Sequence, residues 1–116
     1  MEPPSETAPP YSVDARGFVN STARCDGSET AVAVGRTQGS LVVICSDRDG
    51  RYGYLGLRLR DDAVLRASAR ATPAHEFVAQ NASVLYAVSP VELKVTVGGS
   101  VIKREPMIEY RAPAAH

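Results

Sequence analysis

Few residues in this chain are placed to do chemistry. Cysteine occurs twice, at Cys25 and Cys45, and histidine twice, at His75 and His116. Cys25 and Cys45 flank a hairpin, and in an oxidising compartment they would close a disulfide tying a leading segment to a central strand, stabilising by roughly 3 kcal/mol. In a reducing compartment they would remain thiols, with Cys45 a small buried hydrophobe. Their wide spacing, with His75 and His116 alone to complete a ligand set, does not suggest a zinc site, and neither metal nor cofactor is expected.

Other motifs are fragments. His75-Glu76 begins like a zinc-protease signature, but no second histidine follows it. Asp47-Arg48-Asp49-Gly50 sets acids before a glycine as a calcium loop does, yet Gly56 stands where that loop needs its bidentate glutamate. A hairpin turn accounts for the same residues. No serine lies in a G-x-S-x-G context and no histidine is assembled with an acid beside a nucleophile, so an enzyme is not expected. Asn20-Ser21-Thr22 and Asn81-Ala82-Ser83 match the glycosylation tripeptide, which matters only in a eukaryotic secretory setting.

The remaining chemistry is basic. Tyr54, Arg58, Arg60, Arg66 and Arg70 form the candidate face for an anionic partner, since guanidinium forks onto carboxylate or phosphate. As plain structure the same residues would be a solvated strand face whose arginine stems cover apolar neighbours.

The elements that would position these groups are short strands. The chain has 116 residues, with 13 basic side chains against 13 acidic, a net charge of +0 and a pI near 6.7. That is one domain's worth of core, with no global field to draw nucleic acid. No apolar run approaches the length of a transmembrane helix. Residues 1–16 (MEPPSETAPPYSVDAR) are expected to be a flexible Pro-rich linker, 17–111 an all-β domain, and 112–116 a tail. The Pro-rich start looks like a stalk outside a membrane anchor, so membrane attachment would run through a segment absent from this chain.

Side chains alternate along a strand, so each turn fixes which residues face each other. A Gln38-Gly39 turn sets Val34 opposite Val43, Ala33 opposite Ile44 and Val32 opposite Cys45. A two-residue Asp49-Gly50 turn sets Ile44 opposite Leu55 and Val42 opposite Leu57. A three-residue loop at Asp61-Asp62-Ala63 then sets Leu59 opposite Leu65. One face would collect Ala31, Ala33, Val42, Ile44, Leu55, Leu57 and Leu59, while the other would change from apolar at Val32, Val34 and Val43 to basic at Arg58, Arg66 and Arg70, its apolar half to be covered by the C-terminal strands or a partner. Further strands follow at His75 to Ala79, Ser83 to Val88 and Val91 to Val97. Gly98-Gly99 turns the chain back through Val101 and Ile102, and Met107 to Arg111 is a last edge strand. The sum is an antiparallel meander of about eight short strands closing into a small barrel or sandwich.

The runs GRTQGSLVVIC, RYGYLGLRL, FVAQN, YAVSP and PMIEY resemble the extracytoplasmic domains of membrane-anchored or secreted actinobacterial proteins, mycobacterial ones in particular. The resemblance spans about Cys25 to Arg111 and implies a location at the cell envelope. It brings no site residues. The expectation is a non-enzymatic extracytoplasmic domain that binds a protein or an anionic envelope component. The alternative is a carrier of a small apolar ligand such as a lipid, held in a barrel interior lined by Val42, Ile44, Leu55 and Leu57.

Overall fold

The structure, a computed structural model, describes residues 12–19, 21–74 and 76–112. Asn20, His75 and His116 lie outside the described residues, as do 1–11 with most of the expected linker and 113–116 with most of the expected tail.

The chain is all-β. A small hairpin pairs β1 (Val13–Asp14) with β2 (Gly17–Phe18). There follow β3 (Thr30–Arg36), β4 (Ser40–Ser46), β5 (Tyr52–Arg58), β6 (Ala63–Ala71) and β7 (Phe77–Asn81). The last four are β8 (Val84–Val88), β9 (Glu92–Val97), β10 (Ser100–Pro106) and β11 (Glu109–Arg111). From β3 to β10, consecutive strands are antiparallel neighbours, so the expected meander forms.

The nine-stranded order β10-β9-β8-β7-β6-β5-β4-β3-β11 places two strands that are consecutive in sequence at opposite ends of the sheet. Since only Met107 and Ile108 separate β10 from β11, the sheet must curl far enough to bring its two ends within reach of that short link, which gives a curled half-barrel. At that corner the Met107 amide donates to the Val91 carbonyl at 2.9 Å and the Ile108 amide to the Arg36 carbonyl at 2.7 Å. The chain is thus handed from β9 to β3. Gly35 makes room for the crossing: a Cβ there would lie 2.7 Å from the Met107 sulfur.

The register departs from expectation at three places, each traceable to a loop or bulge. The Gln38-Gly39 turn gives Val34 opposite Val43 and Ala33 opposite Ile44, as expected. A bulge between Ala31 and Ala33 then leaves Val32 unpaired and sets Ala31, not Val32, opposite Cys45. At Asp49-Gly50 the loop has one residue more than expected, because Ser46 faces Tyr52 and Asp47 closes the turn through Arg51. Gly50, at φ +80°, takes the left-handed step that a three-residue loop requires. Ile44 therefore faces Tyr54, and Leu55 faces Val43. At the next turn Arg58 faces Ala63, so Leu57 meets Val64 instead of Ala67, and Leu55 meets Arg66.

The residues expected on one core face are consequently divided between two. Ala33, Val42, Ile44 and Tyr54 face the concave interior with Ala79, Val88, Leu93 and Val95. Ala31, Val34, Leu41, Val43, Cys45, Leu55 and Leu57 face outward, where Phe18, Ala23 and Cys25 cover them. The leading segment is thus structural, and the expected linker boundary at residue 16 is corrected. Val13 packs on the outer core, and the Ala15 carbonyl accepts from the Ala31 amide at 2.8 Å. Its few apolar residues are too little to order a backbone alone, but here they complete a core that β3–β5 have already begun.

Candidate functional site

The disulfide is present: Cys25 of the cover bonds Cys45 of β4, with Cα atoms 5.6 Å apart. It holds the cover where the outer core needs it. The turn that presents Cys25 is tightened by reciprocal bonds, the Glu29 amide donating to the Asp26 carbonyl at 2.9 Å and the Asp26 amide to Glu29 Oε1 at 3.0 Å. Beside it, a groove of about 420 Å³ is lined by Asp26, Glu29, Cys45, Asp47, Tyr52 and Arg66 among others.

The five residues of the candidate anionic face do not share a face. Tyr54 is buried in the interior, stacked on Tyr86 with ring centroids 5.0 Å apart. Burial, with smaller contributions from Tyr86 and Glu105, holds its phenol far above the ordinary range. Arg58 forks onto Asp61, with Nε to Oδ1 at 2.9 Å and Nη2 to Oδ2 at 2.8 Å. That hydrogen bond raises the guanidinium and lowers the carboxylate from their ordinary pKa values. Arg66 lies opposite Leu55 on the outer side, 3.5 Å from Asp26 of the cover. Arg70 follows Arg66 on that side by strand alternation, and Arg60 sits in the β5–β6 loop. The longer loops after β4 and β5 divide the set.

Asp47-Arg48-Asp49-Gly50 is the hairpin loop itself. Asp47 Oδ1 accepts from the amides of Asp49 and Arg51, both at 2.9 Å, which uses the carboxylate to stabilise the turn.

Two features were not anticipated from sequence. The first is Glu105 on β10, whose Oε1 accepts from Thr37 Oγ1 at 2.7 Å and from Ser40 Oγ at 3.1 Å. Thr37 has no exposed surface and Ser40 little, so Glu105 meets two otherwise costly buried hydroxyls while fastening β10 to the β3–β4 turn. The alternation of β10 with Leu93 and Val95 places Lys103 and Glu105 on the concave side, a signal visible only once the strand order is known.

The second is the free edge. β10 lies at the end of the sheet order, and Ser100 to Arg104 are all exposed. Val101 is 45% and Ile102 63% exposed, and Leu85, one strand beyond Thr96 in the same cross-strand row, is 37% exposed. A bulge between Val101 and Lys103 leaves Ile102 without a ladder partner on β9. Arg104 lies opposite Lys94 and is bonded to Glu92 at 3.1 Å. An apolar ridge therefore borders a strand edge, with cations beside it.

No protein-family model, curated protein or solved structure matches the chain. Among the described residues no helix is long and apolar enough to cross a membrane.

Proposed function

We propose that the chain is a binding domain of an oxidising, extracytoplasmic compartment, and that it receives an extended segment of a protein partner along the edge of β10. The edge itself carries this proposal: an end strand whose exposed residues include Val101 and Ile102 offers backbone donors and acceptors beside an apolar ridge. Strand addition uses both, the backbone for affinity and alternate side chains for selectivity.

The charges describe the partner. Lys103 and Arg104 on the edge and Lys94 behind it favour an incoming strand that alternates apolar residues with acidic ones. A second copy of this chain fits poorly, since antiparallel pairing of β10 with itself brings Lys103 and Arg104 of two chains together. The Cys25–Cys45 bond supports the compartment, because structural disulfides persist where the surroundings oxidise thiols. The resemblance to envelope domains points the same way.

The carrier alternative has less to rest on. Val42 and Ile44 line the interior but are fully packed, while Leu55 and Leu57 face the other side under the cover. What stays open at the interior's mouth is a groove of about 310 Å³ lined by Ser40, Tyr54, Leu65, Tyr86, Val95 and Lys103 among others.

A photo-crosslinking amino acid placed in turn along β10, and at Arg70 as a control, tests the proposal in cells that produce the protein. The expected result is one discrete protein adduct, strongest from Ile102 and alternating in strength along the strand. Equal adducts from Arg70, or adducts consisting of the chain with itself, would contradict it.

A further inference from the structure

The surroundings of the disulfide hold more than a crosslink. Cys25, Cys45 and Glu29 each present a ligand atom, and these atoms all lie within 4.8 Å of one another. Two ligands on one tetrahedral zinc stand roughly 3.5 Å apart, given metal bonds of about 2.0 to 2.3 Å, so modest side-chain movement would bring all three onto one ion. We propose that the reduced chain binds a zinc ion through Cys25, Cys45 and Glu29, and that metal and disulfide are mutually exclusive states of the same site.

Three observations support a built arrangement over a chance one. The bulge at Val32 reverses the facing of every residue before it: unbulged pairing would turn Glu29 to the concave side, away from Cys45. Bulges commonly re-aim a side chain in this way. The carboxylate is also oriented, since Glu29 Oε1 already accepts from the Asp26 amide at 3.0 Å, as partners of metal ligands do. Access is provided by the groove beside Cys45, whose lining includes Glu29 and the further carboxylates Asp26 and Asp47. The distant sequence spacing of the cysteines hid the site; the topology removes that objection, and Glu29 replaces the missing histidine.

The chemistry balances with a dithiol as reductant. The dithiol delivers two electrons and two protons, the Cys25–Cys45 sulfur bond breaks, two thiols form, and the reductant closes to its own disulfide. Zinc then takes both sulfurs as thiolates, releasing their two protons to solvent, with the Glu29 carboxylate as third ligand and water as fourth. A disulfide oxidant reverses this: it takes two electrons from the thiolates and two protons from solvent to become a dithiol, the Cys25–Cys45 bond re-forms, and the ion is released.

The test uses the full chain reduced with a phosphine, freed of reductant without air, and titrated with Co²⁺ as a coloured substitute for Zn²⁺. The expected result is a thiolate-to-cobalt charge-transfer band and tetrahedral visible bands saturating at one ion per chain, both removed by Zn²⁺. Glu29→Gln should weaken binding at least tenfold while leaving the disulfide and melting temperature of the oxidised protein unchanged. Cys45→Ser should abolish the charge-transfer band at one equivalent. Absence of that band, one ion shared between two chains, or unchanged affinity in Glu29→Gln would overturn the proposal. Circular dichroism is followed throughout: a reduced chain that loses its sheet and does not regain it with Zn²⁺ would overturn it too, whereas zinc-driven recovery of the sheet would support it. None of these results depends on what binds at β10.

Discussion

Strands β4 and β10 have the same length and opposite fates. In β4 (Ser40–Ser46) every position but the last is buried; in β10 (Ser100–Pro106) every position but Glu105 is exposed. Composition accounts for part of this, since LVVIC is apolar at consecutive positions while VIKRE is apolar only at its start. Position accounts for the rest. β4 has a strand on each side, the curled interior below and the disulfide-held cover above, whereas β10, among the described residues, has a neighbour on one side only. This fold therefore concentrates its buried core in β3–β5 and leaves an exposed strand at the sheet's end, where a change costs little.

The largest effect should come from truncating the same residue type in both strands. Ile44 has no exposed surface, so Ile44→Ala should cost about 3 to 4 kcal/mol, whereas Ile102→Ala should stay within about 0.5 kcal/mol. Urea unfolding of the two variants measures the contrast directly. Next comes the cover: replacing both cysteines by serine opens a loop spanning a separation of 20 residues, for an expected loss of about 3 kcal/mol at unchanged fold.

Smaller is the fastening of β10. Glu105→Ala strands the buried Thr37 hydroxyl and should cost about 1 to 2 kcal/mol, with Glu105→Gln recovering part of it because an acceptor oxygen remains. Thermal melts of the pair separate the bond from the charge. Smallest near neutral pH is the buried phenol. Tyr54 is raised above its ordinary value of 10.0, chiefly by burial, so its contribution is whole below that pH and is lost as pH rises toward the folded-state value. Stability measured above pH 10 should therefore fall more steeply in the native chain than in Tyr54→Phe.

How much of the fold is legible in the sequence depends on the turns. Gln38-Gly39 and Gly98-Gly99 turn the chain where the sequence places them, the latter because φ of +56° and +87° is natural for paired glycines. Asp49-Gly50 misleads because the same dipeptide serves a two-residue turn or the end of a three-residue loop, and the shift exchanges the two faces of β5, after which the longer β5–β6 loop restores β6, whose Leu65, Ala67 and Ala69 join the interior as expected. The β5–β6 loop contains no glycine and its left-handed residue is Asp62 at φ +58°; the Asp pair marks the turn, but not that the loop starts at Leu59. All-β class, strand sequence and the disulfide pair needed only local pattern. The pairing of β11 with β3 depends on the curl of the whole sheet, and no local pattern marks the bulge that turns Glu29 toward the cysteines or the end position of β10.

Residue-resolved amide exchange of the purified, oxidised chain tests the contrast between β4 and β10 most directly. Amides of Leu41 to Cys45 should exchange only through global unfolding, and the β10 amides turned away from β9 should exchange nearly as fast as an unfolded peptide. Uniform protection along β10 equal to that of β4 would contradict the account, because the edge would then already be covered.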